Sequence, residues 1–131
     1  MSADRTGTLV VGASQAGLQL ATSLRQLGDD EPIVLAGSEA HAPYQRPPLS
    51  KGFLAGKADA ASLAFRTTEW YDAQRIDLRL GTKIVHVDLD SPTAGSGIAT
   101  TRSGDRIAFG RLAITVGGRA RRLCIPGSDL A

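Results

Sequence analysis

Leu9-Val10-Val11-Gly12-Ala13-Ser14-Gln15-Ala16-Gly17 reads as the end of a buried strand, a glycine turn and the start of a helix. Three apolar residues end at Gly12, where the chain must turn sharply. Gly17 falls one turn into the helix, where a side chain would push helix and strand apart. The start of such a helix offers unbonded N–H groups and the positive end of its dipole to an anion. The pattern sought is G-x-G-x-x-G, and Ser14 takes the place of its middle glycine. A glycine there lets the backbone approach a diphosphate closely. Ser14 adds a Cβ, and with it a hydroxyl able to donate to a phosphate. The motif alone is weak; the preceding strand and following helix make it a candidate nucleotide site.

Working outward, residues 16–27 place Leu20, Ala21, Leu24 and Leu27 on one helical face, with Arg25 and Gln26 looking outward. Gly28 is the expected left-handed cap. Pro32 opens a second strand, Ile33-Val34-Leu35-Ala36. The unit is βαβ, which predicts parallel strands and a right-handed crossover. Glu39 stands 22 residues after Gly17, where a dinucleotide site places an acid on the ribose hydroxyls. Without the upstream glycines it would read as a solvated loop carboxylate.

Residues 41–51 carry three prolines, which rule out a regular helix or central strand. A stiff loop bearing Tyr44, Arg46 and Lys51 can hold polar groups against a ligand, or can be a surface connector. Ser50 is a candidate cap for a short helix through Phe53-Leu54, and residues 58–64 read as a loop or a weak helical turn. Thr68 reads as the N-cap of a helix over 69–74, in which Trp70 is a packing residue. A strand is expected at 78–80. After Gly81, Ile84, Val87 and Leu89 alternate with Lys83, His86, Asp88 and Asp90. His86 has no visible partner and is given no catalytic role. Strands at 98–101 and 107–109 complete a three-stranded antiparallel meander. Residues 112–116 form a continuous apolar run suited to a buried parallel strand. Gly117-Gly118 break it, and Arg119, Arg121 and Arg122 then form a small basic cluster, a solvated face or one turned to an acidic partner.

A chain of 131 residues predicts one domain. The net charge of +2 is slight, and no basic stretch is interleaved with aromatics, which argues against nucleic acid. No apolar run is long enough for a bilayer. Residues 1–7 lack the apolar core of a secretion signal, so a cytoplasmic protein is expected, with residues 1–6 a frayed tail. Cys124 is the only cysteine, leaving no disulfide, no C-x-x-C pair and no metal cluster.

Three stretches carry a resemblance: residues 10–17, Pro43-Tyr44-Gln45-Arg46-Pro47-Pro48-Leu49-Ser50-Lys51, and Thr115-Val116-Gly117-Gly118-Arg119-Ala120-Arg121-Arg122. Together the chain resembles the N-terminal, FAD-binding portion of the flavin-dependent ferredoxin reductases of the pyridine nucleotide-disulfide oxidoreductase superfamily. The resemblance implies an α/β, Rossmann-like domain: a small parallel sheet with helices plus the three-stranded meander. It implies that Gly12, Ala13, Ser14, Gln15, Ala16 and Gly17 hold the pyrophosphate of FAD, and that Ser38 and Glu39 sit at the adenosine ribose. Arg46, Pro47 and Lys51 would flank the flavin, with Lys51 beside its reactive edge as the catalytic candidate. Ile84 would touch the adenine, and Thr115, Val116, Gly117 and Arg119 would lie at the cofactor. Val116 stands where the family has threonine, and Ser38 where many relatives have aspartate.

In intact members NADH delivers hydride to the flavin, which passes single electrons to a ferredoxin. This chain has no second G-x-G-x-x-G and no late Gly-Asp segment for the ribityl end. The expectation is an FAD-binding part of such an enzyme, with NAD(P)H used only if another chain supplies its domain. The rivals are a half-enzyme that needs a complementing chain or a second copy, an inactive remnant, and a dehydrogenase-type NAD domain. The last leaves Pro47-Pro48-Leu49-Ser50-Lys51 without a role.

Overall fold

The structure is a computed structural model that describes residues 6–130. The expected frayed tail lies outside the described residues over 1–5, whereas Thr6 already belongs to the first strand. That strand, β1 (Thr6–Val11), runs through the middle of a six-stranded sheet of order β3-β2-β1-β6-β5-β4. On one side of it β2 (Ile33–Ala36) and then β3 (Ile76–Arg79) run parallel. On the other, β6 (Arg106–Ile114) is parallel to β1 and antiparallel to β5 (Gly97–Thr101), which pairs antiparallel with β4 (Ile84–Leu89). The expected α/β architecture, parallel strands plus a meander, is present.

Alternation along the central strands sends successive residues to opposite faces. Val10, Ile33 and Leu35 meet Leu18 and Ala21 of α1 (Gln15–Gln26) and Tyr71 of α3 (Thr68–Ala73). Leu9, Val34 and Ala36 meet Ala99, Ile107 and Phe109 of the meander. Helices thus cover one face of the parallel strands and the meander covers the other. β6 makes this arrangement by changing partners along its length. Its residues 106–109 pair with β5 and residues 109–114 run beside β1, with Phe109 opposite both Gly97 and Thr6. The separate strands expected at 107–109 and 112–116 are therefore one nine-residue strand.

Several local expectations are corrected. Leu27 is not on the packed face; it is 84% exposed at the C-cap of α1. Gly28, at φ +85, closes the helix as expected, with its N–H donating to Arg25 O and that of Asp29 to Leu24 O. Arg25 is not turned outward: its guanidinium donates to the carbonyls of Gln74 at 2.7 Å, Glu31 at 2.9 Å and Arg75 at 2.8 Å, and also to that of Asp29. Ser50 ends a 3₁₀ turn over Pro47–Ser50 instead of opening a helix. Pro47 has no N–H to lose and a φ preset for a first helical turn. The turn expected in 58–64 is α2 (Ala60–Leu63), capped by Asp59 accepting from the Ser62 N–H. Thr67, not Thr68, caps α3, with no capping hydrogen bond from its side chain. β3 begins at Ile76, two residues early, because Ile76 is a core residue. In β4, Ile84 pairs with Thr101 and His86 with Thr100, so the register shifts between them. That bulge lets Ile84 and Val87, three apart, both pack on the core while Val85 is 54% exposed.

Candidate nucleotide-binding cleft

At the carboxyl ends of β1, β2 and β6 the chain leaves a cleft of about 340 Å³, walled by residues 11–14, 36–39, 82–84 and 115–119 and by Arg46. Open α/β sheets bind ligands at this end of their strands. Its floor is the glycine turn. Gly12 sits at φ +112, in the left-handed region that favours glycine, and a Cβ there would run into the Thr115 carbonyl. A Cβ on Gly17 would run into the Gly12 carbonyl and come within 2.9 Å of Thr115 Oγ1. The close helix–strand approach expected at Gly17 is therefore present.

Thr115 holds the turn from the other side. Its N–H donates to Val11 O at 2.8 Å, and its hydroxyl lies 2.9 Å from the Gly12 carbonyl oxygen and 3.2 Å from that of Val11. Its hydroxyl is thus bonded to the turn's backbone. Ser14 is the N-cap of α1 in extended backbone, at φ −132, which a Cβ tolerates, and its side chain makes no cap bond. Gln15, Ala16 and Gly17 form the first turn of α1, which contains no acidic residue to compete with an anion.

The second wall follows β2. A Cβ on Gly37 would come 2.6 Å from the Cβ of Ala13, so a glycine here lets β2 and the turn approach. The loop is pinned by Gly37 N–H donating to Arg79 O, Thr82 N–H to Gly37 O and Gly81 N–H to Glu39 O, at 2.9, 2.7 and 2.8 Å. Glu39 Oε1 accepts from Arg46 at 2.6 Å and Oε2 from the Tyr44 hydroxyl at 2.8 Å. The Arg46 guanidinium also lies over the Tyr44 ring, 4.9 Å from its centroid. The hydrogen bond from Arg46, then that from Tyr44, holds the Glu39 carboxyl below the ordinary glutamate range. The same carboxylate pushes the Tyr44 phenol and the Arg46 guanidinium upward.

Of the residues singled out from sequence, 12–14, Ser38, Glu39, Arg46, Ile84, 115–117 and Arg119 share this one cleft. Gln15, Ala16 and Gly17 stand behind its lining in α1. Pro47 and Lys51 do not line it; both are exposed, and Lys51 Nζ is 3.4 Å from the Pro47 carbonyl. Sequence reasoning missed Gly37, Thr82, Lys83 and Gly118, which do line it. Gly37, Lys83 and Gly118 had a usable signal, each flanking a residue already chosen. A second cavity of about 270 Å³, formed by Leu49, Phe53 and Leu63 with His41 and Tyr44, shares no residue with the cleft.

Outside the cleft, His86 does have a partner: its Nε2 is 2.9 Å from Asp88 Oδ1 on exposed strand. Cys124 is free and exposed. Among the described residues no group of His, Cys, Asp and Glu could hold a metal ion. No described helix is long and apolar enough to cross a membrane.

Known proteins share this arrangement. Rhodocoxin reductase of Rhodococcus erythropolis is 38% identical over 122 residues, which are 93% of this chain and 27% of that protein. Rubredoxin-NAD(+) reductase of Pseudomonas putida is 35% identical over 123 residues, 94% of this chain and 31% of the relative. Among solved structures, a ferredoxin reductase from Rhodopseudomonas palustris superposes with a TM-score of 0.84 at 36% identity, over 95% of this chain and 30% of that one. Putidaredoxin reductase, in its covalent complex with putidaredoxin, gives 0.78 at 35% identity, over 93% of this chain and 28% of that one. The chain thus spans less than a third of the length of these relatives. Residues 6–131 match the family described as pyridine nucleotide-disulphide oxidoreductase, and the chain belongs to that family.

Proposed function

We propose that this chain is the FAD-binding portion of an NAD(P)H-dependent ferredoxin reductase-type oxidoreductase. The observation that carries this reading is the glycine cradle. At Gly12, Gly17 and Gly37 an added Cβ would collide with the turn or its clasp, so these glycines let β1, α1 and β2 close up beneath the cleft, which reaches Ser14, the N-cap of α1. The cleft adds Arg46, Lys83 and Arg119 against one carboxylate, Glu39. That balance suits a diphosphate. In this reading the backbone of residues 12–17 and the Ser14 hydroxyl hold the pyrophosphate. Glu39, already oriented by Arg46 and Tyr44, accepts from the ribose hydroxyls, and Ile84 lies against the adenine. FAD supplies the capacity to take a hydride and give up single electrons; the protein supplies position and charge. Relatives named rubredoxin-NAD(+) reductase and ferredoxin reductase support NAD(P)H as donor and a ferredoxin as acceptor, and the setting we infer is cytoplasmic.

The test is thermal unfolding of the purified chain with and without FAD. A ligand bound only by the folded form raises stability by about 2.7 kcal/mol at a hundred times its Kd. A rising Tm that saturates with FAD supports the reading; an unchanged Tm at millimolar FAD sinks it.

A second reading has its own observation. Ile114, Val116, Leu123 and Ile125 are each more than half exposed at the end of β6 and beyond. Exposed apolar side chains of that kind suit a complementing chain that completes the enzyme, or a second copy. Sedimentation that finds only monomer at high concentration, with no complex on adding the remainder of a relative, would exclude it.

A further inference from the structure

We infer that the second cavity, the hollow between the proline-rich loop and α2, is a binding site for a free single-ring aromatic molecule with one polar substituent, and that Tyr44 links it to Glu39 in the cleft. The inference does not depend on which nucleotide the cleft takes. The hollow measures about 270 Å³. Sites for drug-sized ligands run to about 300–1,000 Å³, and an apolar hole of about 150 Å³ holds a benzene ring. One ring with a substituent is the occupant of that size. Leu63, 5% exposed, and Ala42, packed against the main core, form its floor. Leu49 and Phe53, 37% and 41% exposed, stand at its mouth. His41, Tyr44 and Phe53 bring rings to the lining, and rings pack offset or edge to face on one another. His41 and Tyr44 already stand edge to face, with centroids 6.4 Å apart. The Tyr44 hydroxyl donates to Glu39 and accepts from Arg46 at 3.2 Å, so His41 is the lining side chain left to meet a polar substituent.

Backbone hydrogen bonds hold the walls in place. Tyr44 forms an antiparallel bridge with Ala64, Gln45 N–H donates to Leu63 O at 2.8 Å, and Phe65 N–H donates to Pro43 O at 3.0 Å. Phe53 N–H donates to Pro48 O at 3.0 Å, which fixes the turn bearing Leu49 and Phe53. Apolar atoms that line a hole lose their contacts on that side, and an apolar ligand restores them. Tyr44 lines this hollow and donates its hydroxyl to Glu39, which lines the cleft. Arg46 lies over the same ring and donates to the same carboxylate. A molecule packed on Tyr44 therefore bears on the geometry of Glu39.

The experiment titrates the isotopically labelled whole chain with p-cresol and follows the methyl resonances of Leu49 and Leu63 and the side-chain carboxyl resonance of Glu39. The expected result is saturable shifts at both leucines with a Kd of about 1 mM or tighter, ordinary for so small a ligand, and a shift at Glu39 with the same Kd. Ala60→Leu fills the hollow from an exposed position and should abolish all three shifts. Tyr44→Phe keeps the ring, and should keep the leucine shifts while losing the one at Glu39. Unmoved leucines at millimolar p-cresol, or binding that survives Ala60→Leu, would overturn the site. N-acetyltyrosinamide binding as tightly as p-cresol would also overturn it, by pointing to a tyrosine side chain of another chain as the occupant. Leucine shifts with Glu39 unmoved, or a Glu39 shift that survives Tyr44→Phe, would overturn the link through Tyr44. FAD binding at the cleft is read separately by thermal unfolding.

Discussion

At the scale of single residues, three positions decide most. Gly17 is buried where any side chain meets the Gly12 carbonyl and the Thr115 hydroxyl. Gly17→Ala should cost about 1–3 kcal/mol, the range for forced overpacking, read from urea unfolding, and should weaken nucleotide binding by displacing the turn. Tyr71 is the opposite case. It is 1% exposed, and its hydroxyl has no hydrogen-bond partner among the described residues. Removing that oxygen in Tyr71→Phe should leave stability unchanged or raise it by about 1 kcal/mol, because a buried unpaired hydroxyl is a cost. Tyr71→Ala should cost about 3–5 kcal/mol. Burial also pushes the Tyr71 phenol up to about 12. A group whose folded pKa is raised gives stability present below the unfolded value, near pH 10, and lost as pH rises through the folded value. Wild type should therefore lose stability between about pH 10 and 12 in excess of Tyr71→Phe, and equal alkaline profiles would contradict this. Glu39 has the reverse sign. Its carboxyl is depressed chiefly by Arg46, so its contribution is present above the unfolded value, near pH 4.3, and lost as pH falls below it. With both side chains about half exposed, the loss should stay under about 1 kcal/mol, and Glu39→Gln should flatten it.

At the scale of elements, Arg25 joins the end of α1, the loop before β2 and the α3–β3 connection through four backbone carbonyls. Arg25→Ala should cost about 2–3 kcal/mol, since bonds to a charged donor are worth more than neutral ones. Arg25→Lys should restore only part, because one ammonium cannot reach four carbonyls as a planar fork does. Chemical denaturation of both variants checks this, and equal stabilities for lysine and arginine would contradict it. Why Arg25 read as an outward residue is physical: helical period assigns a face, but not the carbonyls that a distant loop brings to it. The same limit applies to β4, where a register shift between Ile84 and His86 breaks the period-2 pattern and leaves Leu89, read together with Ile84 and Val87, 46% exposed. It explains β6 too, since an apolar run cannot reveal that one strand changes partners at Phe109. By contrast β1, α1 and β2 were legible, because buried strands, a glycine cap and Pro32 are local signals.

At the scale of the whole molecule, the fold brings four distant segments to one end of the sheet. The residues chosen on motif and resemblance line the cleft there, apart from Gln15, Ala16 and Gly17, which stand behind it in α1, and Pro47 and Lys51, which lie outside it. The glycine turn and Glu39 were legible because a diphosphate and a ribose impose spacing on the βαβ unit. The hold of Tyr44 and Arg46 on Glu39 was not, since it depends on how a proline-stiffened loop folds back. Nor was the clasp of Thr115, which spans more than a hundred residues to the turn. The account stands on the claim that the turn between β1 and α1 grips a diphosphate. The most direct measurement follows backbone amide resonances of the isotopically labelled chain as FAD is added. The account predicts that the largest changes fall on the amides of residues 12–17, with smaller ones at Glu39 and Ile84. Unmoved amides at 12–17, with the changes gathered instead at the second cavity around Phe53 and Leu63, would contradict it.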